Sequence, residues 1–259
     1  MSDCCHILGT KVSLVQIPDV VAALDSWIAQ RRNLGPAAYV VTTNVYGVMM
    51  AQQTPAHRRA INRADLAVPD GMPLVWIARA RGARHMQRRV YGPELFEAAC
   101  EAGRRRGWRF YFYGGAEGVA QRLAALVRER YPGVQVVGAE TPPFRPLTPD
   151  EDAEVCRRIN AARPDVVWVG LGGPKQDLWM ADHAPKLNVP ALIGIGAAFD
   201  FFPGRVSQAP RWMREHGLEW LYRLWAEPRR LWRRYLIYNP WFAWLLLLET
   251  LGLKKFPRE

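Results

Sequence analysis

Short apolar or aromatic runs alternate along this chain with longer stretches in which apolar positions recur every three or four residues. The runs predict strands at Tyr39–Thr43, Asp65–Val68, Arg109–Tyr113, Val134–Gly138, Val166–Gly170 and Ala191–Gly196. The periodic stretches predict helices near Pro18–Arg32, Val45–Gln53, Pro73–Arg81, Pro93–Arg106, Gly118–Arg130, Pro149–Ala162 and Lys175–Ala184. Strands that alternate with helices of this length imply an α/β fold, a mostly parallel sheet with both faces covered. Such sheets gather ligands outside the carboxyl ends of their strands. Here those ends read TTN at 42–44, PDG at 69–71, YGG at 113–115, GLGGPKQ at 170–176 and GAAFDFFPG at 196–204. Five polar, glycine-rich ends on one rim make a ligand crevice.

After Gly204 the pattern changes to helical, basic and aromatic, punctuated by prolines at 210, 228 and 240. A boundary is therefore expected near 201–210, with an α/β core over 1–204 and a small helical appendage over 205–259. Composition reinforces this division. The formal charge is +11, and residues 201–259 carry nine Arg and two Lys against five Glu, together with six of the eleven Trp. A basic, Trp-rich segment suits an anionic partner, nucleic acid or a lipid head-group surface. Its most apolar stretch, WFAWLLLLETLGL, is preceded by Asn239-Pro240 and interrupted by Glu249, short of the roughly 20 apolar residues a spanning helix needs. If the protein meets a membrane, it is expected to lie on it.

The four cysteines form no C-x-x-C pair, which supports neither a zinc site nor a disulfide framework and makes a reducing cytosol the simpler compartment. The segment MSDCCHILGT lacks the charged and apolar regions of a signal peptide. The five histidines show neither H-E-x-x-H nor a G-x-S-x-G partner, so a histidine-based hydrolase has no support.

The turn Gly170-Leu-Gly-Gly-Pro-Lys-Gln fits neither a Walker loop nor a dinucleotide fingerprint. Gly172 and Gly173 still permit close backbone approach, Pro174 suits the first helical position, and the helix N-terminus behind it favours an anion. A bare turn is the alternative; Lys175 and Gln176 favour a ligand. Asp70, in VPDGMP, suits either a helix cap, the commoner job at such a position, or a general base that takes the proton of an attacking hydroxyl. Asp200 poses the same choice, and a rim carboxylate also accepts hydrogen bonds from ribose hydroxyls. Asp150-Glu151-Asp152 imitates a metal-chelating D-x-D, but it follows Thr148-Pro149 at a helix start, where acids complement the dipole, and no metal is inferred. Arg223, Arg229, Arg230, Arg233 and Arg234 form either a solvated face or a guanidinium flap for phosphate.

Taken in order, these pieces resemble the WecG/TagA/CpsF family of bacterial glycosyltransferases, glycosyltransferase family 26. The matching residues are Thr42 and Asn44 of T-x-N, Asp70-Gly71, RVYGPEL at 89–95, FYFYGG at 110–115, GLGGPKQDLW at 170–179, IGIGAAFDFFPG at 193–204 and the run from Ala209-Pro210 through EWLYR and EPRRLWRRY. The resemblance covers about residues 10–238. It implies a Rossmann-like core and a C-terminal appendage that completes the site and docks on the cytoplasmic face of the membrane. The implied reaction is metal-free, cofactor-free and inverting: a sugar passes from a UDP-sugar to a polyprenyl-diphosphate-linked sugar in surface polysaccharide synthesis. It places Asp70 at the position of the catalytic base with Thr42 and Asn44 lining the same pocket. Gln176 and Asp200 fall at nucleotide-sugar positions, beside Gly172, Gly173 and Lys175 of the turn, and Arg223, Arg230 and Arg233 at diphosphate positions. Three departures stand out: Gln208 replaces the Arg of R-A-P, Asp70-Gly71-Met72-Pro73 replaces D-G-x-G, and Gln176-Asp177 replaces Q-E. N-acetylmannosamine, its uronic acid and glucose all stay open as donor sugars, as does homo-oligomerisation.

Two rival classes are weighed. A nucleic-acid-binding module explains the basic tail but has no helix-turn-helix, RRM or zinc signature. A nucleotide-dependent oxidoreductase explains the α/β alternation but lacks the glycine fingerprint and its ribose-binding acid.

Overall fold

The computed structural model describes residues 3–31, 35–196, 199, 202 and 209–258. In chain order the elements are β1 (Cys4–Ile7), β2 (Thr10–Ser13), α1 (Ile17–Arg31), β3 (Ala38–Thr43), α2 (Val45–Gln53), α3 (Pro55–Arg63), β4 (Leu66–Pro69), α4 (Met72–Ala80), α5 (Gly92–Arg106), β5 (Arg109–Gly114), α6 (Val119–Arg130), β6 (Gln135–Glu140), α7 (Pro149–Ala162), β7 (Val166–Gly170), α8 (Lys175–His183) and β8 (Ala191–Gly194). The C-terminal segment adds α9 (Arg211–Glu215), α10 (Glu219–Ala226), α11 (Pro228–Trp232), a π-helical turn (Arg233–Ile237) and α12 (Tyr238–Thr250). The six expected strands are present with ends within two residues of the predicted ones, and the seven expected helices with ends within one.

The main sheet has the order β4-β3-β8-β7-β5-β6, and the pairs β3/β8, β8/β7, β7/β5 and β5/β6 are parallel. Position in this order explains the composition of each strand. Central β7, VVWVG, and β8, ALIG, are buried almost throughout, as a strand covered on both faces must be. β6, QVVGAE, lies at the edge and stays half exposed. The ends of β5 and β7 meet closely: Gly115 N–H donates to Gly170 O at 2.9 Å, and Gly114 adopts φ +129°. A Cβ on Gly114 would lie 2.6 Å from the Gly170 carbonyl, so this end of the sheet requires glycine.

Two compact units make up the chain: Met1–Gln16, Thr42–Tyr91 and Ser207–Glu259 form one, Ile17–Val41 and Gly92–Val206 the other. The second unit has an aromatic core, in which Phe96 meets Trp168 edge-on at 4.9 Å and Phe112 at 5.9 Å. Its helix α7 starts with a capping box. Thr148 Oγ1 accepts the Glu151 N–H and the Glu151 carboxylate accepts the Thr148 N–H. Of the first-turn acids, Glu151 thus serves the helix start, while Asp152 turns to His183 and Lys186. The Arg145 hydrogen bond first, then the Thr148 N–H, lowers the Glu151 pKa from 4.5 to about 2. For a carboxyl depressed on folding, stabilisation is complete above its unfolded pKa and is lost as pH falls through the folded one. Thr148→Ala is expected to cost about 0.5–2 kcal/mol in urea unfolding at pH 7. The stabilisation contributed by the Glu151 carboxylate itself should be lost as pH falls from 4.5 to about 2, and a Thr148→Ala stability equal to wild type would exclude the capping role.

In the first unit the elements unforeseen in the sequence are the β1/β2 hairpin and α3. The hairpin turns on Leu8 and Gly9, both at positive φ (49° and 73°). Ile7, Leu8 and Val12 pack with Val48, Met49 and Leu74, and with Phe242 and Leu245 of α12. Glu249, which interrupts the apolar run of α12, accepts the Leu8 N–H at 3.0 Å and pairs with Arg81. A carboxylate inside the run is therefore an anchor for the hairpin. Among the described residues no helix is long and apolar enough to cross a membrane.

Candidate active site

In the first unit the T-x-N and D-G motifs come together. Asn44 caps α2, its Oδ1 accepting the Gly47 N–H at 3.1 Å. Asp70 follows β4, and its N–H donates to the Thr43 carbonyl at 2.7 Å. Gly71 lies against Asn44: a Cβ built on it would be 3.5 Å from that of Asn44. Thr42 and Asp70 are half-buried. The cap of α4 is Gly71, without a side-chain hydrogen bond, so the Asp70 carboxylate is not spent as a helix cap.

Asp70 is held from its other side by a residue the sequence reading quoted but did not single out. Arg89, within RVYGPEL, donates through Nη1 to the Asp70 carbonyl at 3.2 Å and through Nη2 to Glu219 at the start of α10. The Arg89 and Glu219 side chains are only 13 % and 10 % exposed, so this is a desolvated ion pair. The Arg89 guanidinium lies 4.1 Å from the Tyr91 ring, and Arg214 approaches the same ring at 5.4 Å. Burial works against the Arg89 cation, but Asp70 and then Glu219 outweigh it and raise its pKa. Tyr91 is pushed well above the usual phenol range by burial, then by Glu219 and Asp70. No local spacing reveals this cluster, because Arg89 and Glu219 are 130 residues apart.

The arginines of the C-terminal segment separate into two groups. Arg223 and Arg234 are half-buried, and Arg234 Nη2 donates to Asn44 Oδ1 at 3.5 Å. Arg230 is exposed and pairs with Glu227 at 2.6 Å, while Arg233 is exposed beside the Trp232 ring.

The glycine rim lies in the second unit. Pro174 is the N-cap of α8 and not its first residue. Gly172, Gly173 and Lys175 are exposed, with the Lys175 ammonium 5.3 Å from the Phe144 ring. Among the described residues nothing lies within 4 Å of a Cβ built on Gly172, so the space before the turn is open. Gln176 is only 4 % exposed. Its N–H donates to the Gly172 carbonyl at 2.9 Å and its Oε1 accepts the Gly196 N–H at 3.1 Å. It ties the turn after β7 to the chain after β8, and substitution there would disturb both. Asp200 and Gln208 lie outside the described residues.

Two other places in this unit have the outline of a ligand site but not its chemistry. A cavity of about 430 Å³ beside α7 is lined by Glu140, Asp150, Glu151 and Glu154 as well as Arg157 and Arg158. Both arginines already pair with those glutamates, leaving an acidic lining unsuited to phosphate. Among the described residues Asp152, Cys156 and His183 place candidate metal-ligand atoms within 4.8 Å of one another. The Asp152 carboxylate already meets His183 Nε2 at 2.7 Å and Lys186 Nζ at 3.2 Å, and burial raises the Cys156 pKa, away from the thiolate a metal requires.

The chain matches the family model described as "Glycosyl transferase WecG/TagA/CpsF family" over residues 5–256. It is also 31 % identical over 199 residues to an N-acetylglucosaminyldiphosphoundecaprenol N-acetyl-beta-D-mannosaminyltransferase of Bacillus spizizenii (strain ATCC 23059 / NRRL B-14472 / W23), covering 77 % of this chain and 75 % of that protein. The T-x-N, D-G and glycine-rim residues described above all lie inside the family match, and the chain belongs to the WecG/TagA/CpsF family of glycosyl transferases.

Proposed function

We propose that this glycosyltransferase moves an N-acetylmannosamine-type sugar from a UDP-sugar to a polyprenyl-diphosphate-linked sugar, inverting the anomeric centre without a metal, in cell-envelope polysaccharide synthesis. The observation that carries this reading is Asp70 held at main-chain level by Thr43 and Arg89, with Gly71 beside it packed on Asn44 and the half-buried Arg234 bonded to Asn44. The name of the Bacillus relative supports the acceptor class and the amino sugar.

In the proposed reaction Asp70 takes the proton of an acceptor hydroxyl, whose oxygen attacks the anomeric carbon. The bond from that carbon to the donor diphosphate breaks on the opposite face, and UDP departs. Thr42 and Asn44 orient the acceptor. Gly172, Gly173, Lys175, Gln176 and Asp200 serve the nucleotide-sugar. Arg223, with Arg230 and Arg233 nearer solvent, balances the developing diphosphate charge in place of a metal. The test is a screen of UDP-sugars with a short polyprenyl-diphosphate N-acetylglucosamine, reading UDP release and product mass with and without EDTA. Transfer from UDP-N-acetylmannosamine in EDTA is expected. No release with any donor would overturn the reading, and loss of activity in EDTA would overturn its metal-free part.

We further propose that residues 205–259 form an appendage that docks the enzyme on the cytoplasmic face of the membrane. Trp225, Trp244, Leu251 and Leu253 are 82 %, 57 %, 60 % and 71 % exposed, and Arg229, Arg230 and Arg233 lie exposed in the same segment. Exposed indole and aliphatic groups with arginines suit head-group depth. The full chain is expected to sediment with phosphatidylglycerol vesicles, and Trp225→Ala/Trp244→Ala to bind them roughly tenfold more weakly. Unchanged vesicle binding, with a dimer lost on sedimentation, would instead assign the surface to a second copy of the chain.

A further inference from the structure

Arg234 is an arginine of the C-terminal segment whose surroundings call for a ligand, although the family resemblance points to its neighbour Arg233. Successive residues on a helix point about 100° apart, so the two side chains leave the helix in different directions. The π-helical turn Arg233–Ile237 settles the difference, leaving Arg233 exposed and Arg234 half-buried beside Asn44. Single π turns of this kind recur at functional sites.

A guanidinium has five N–H donors and satisfies them with carboxylates or several carbonyls when it is structural. Arg234 makes one long hydrogen bond, 3.5 Å to Asn44 Oδ1, and that oxygen already accepts the Gly47 N–H. Among the described residues its Nε is buried without a hydrogen-bond partner. Its guanidinium also faces two aromatic rings, Tyr46 at 4.6 Å and Tyr235 at 5.7 Å, with the Asp70 carboxylate near enough to act on its charge. Burial lowers its pKa and the like charge of Arg223 adds to that shift, while Tyr235, Tyr46 and the Asp70 carboxylate oppose it without cancelling it. The fold thus keeps two guanidinium groups near each other and close to the N-terminus of α2, where the dipole is also positive. What complements that arrangement is a compact polyanion with many acceptor oxygens.

We propose that Arg234 is a diphosphate-binding residue, its unfilled donors directed to the diphosphate of the nucleotide donor or of the lipid-linked acceptor. The assignment rests on the transferase reading above. Its experiment uses the full chain, inorganic pyrophosphate as probe, and the variants Arg234→Met and Arg234→Lys. Wild type is expected to bind pyrophosphate in low-salt calorimetry. Arg234→Met should weaken that binding about 10- to 100-fold, as expected for lost hydrogen bonds to a charged group. It should melt at the wild-type temperature or above, because a partly desolvated, unpaired cation has been removed. Arg234→Lys, which keeps the charge but loses the fork, should melt normally and bind about tenfold more weakly than wild type.

Wild-type pyrophosphate affinity in Arg234→Met, or no affinity in wild type, would overturn the proposal. Should Arg234→Met fail to fold, Arg234→Lys decides: normal melting with weakened binding supports the role, and unchanged binding overturns it. Steady-state kinetics identify the source of the diphosphate. A raised KM for UDP-sugar alone assigns the donor, and a raised KM for the lipid-linked sugar alone assigns the acceptor. Failure here is distinguishable from failure of the transferase reading. A wild type that transfers sugar while Arg234→Met matches it removes Arg234 only. One that binds pyrophosphate through Arg234 but never releases UDP keeps the anion site and removes the reaction.

Discussion

Asp70→Asn is expected to lower sugar transfer by about 10²–10⁴-fold, the usual worth of a general base, while leaving the protein folded. Folding should survive because asparagine is nearly isosteric with aspartate and keeps two main-chain contacts of Asp70. Its N–H donates to Thr43 and its carbonyl accepts from Arg89. Asparagine keeps these and removes the charge and basicity of the side chain. Turnover and thermal midpoint should therefore separate: a large fall in kcat with the melting temperature within a degree or two of wild type. Near-normal kcat in the folded variant would show that the acceptor proton goes elsewhere. A fall in melting temperature that tracked the lost activity would make Asp70 a structural residue.

Glu219→Ala is expected to cost about 3–5 kcal/mol, the range found when one member of a buried ion pair is removed. The pair is almost dry, at 13 % and 10 % exposure, so truncation leaves the buried Arg89 Nη2 without its acceptor next to the Tyr91 ring. Against a typical stability of about 5–15 kcal/mol this is a large share. Arg89→Met/Glu219→Leu should recover most of it, since apolar groups of similar volume often replace a buried pair at little cost. Activity should not recover with it, because the donor that grips the Asp70 carbonyl is gone. Urea unfolding of the single and double variants measures the coupling. A Glu219→Ala loss below about 0.5 kcal/mol would mean the pair behaves as a solvated surface bridge.

The sheet was legible because burial imposes composition. A strand covered on both faces has room for little but apolar residues, and Val166–Gly170 was read to the residue. Helix α7 was equally plain, since Thr148, Pro149 and Glu151 carry its start in local chemistry. The β1/β2 hairpin was missed because its turn places Leu8, not the Asn or Asp usual before glycine, at φ +49°. Tertiary packing holds that strained residue, through the Glu249 contact to its N–H. Helix α3 was missed because only Thr54 separates it from α2, which left no loop signal between them. The Arg89–Glu219 pair and the long contact of Arg234 to Asn44 were hidden for a different reason: their partners lie 130 and 190 residues apart.

By itself the sequence determined the α/β alternation, the polar strand ends, the basic aromatic segment and, through the joint order of several motifs, the glycosyltransferase family. All of these are local properties of side-chain type and spacing, and they survive without coordinates. The tertiary structure alone decided that Gly71, and not the Asp70 side chain, caps α4, that Arg89 clamps the Asp70 backbone, that Gln176 braces two rim turns, and which arginines lie inward. Orientation around a helix that is basic and aromatic on every side depends on its packing and on one π turn, and desolvation depends on residues brought from far along the chain.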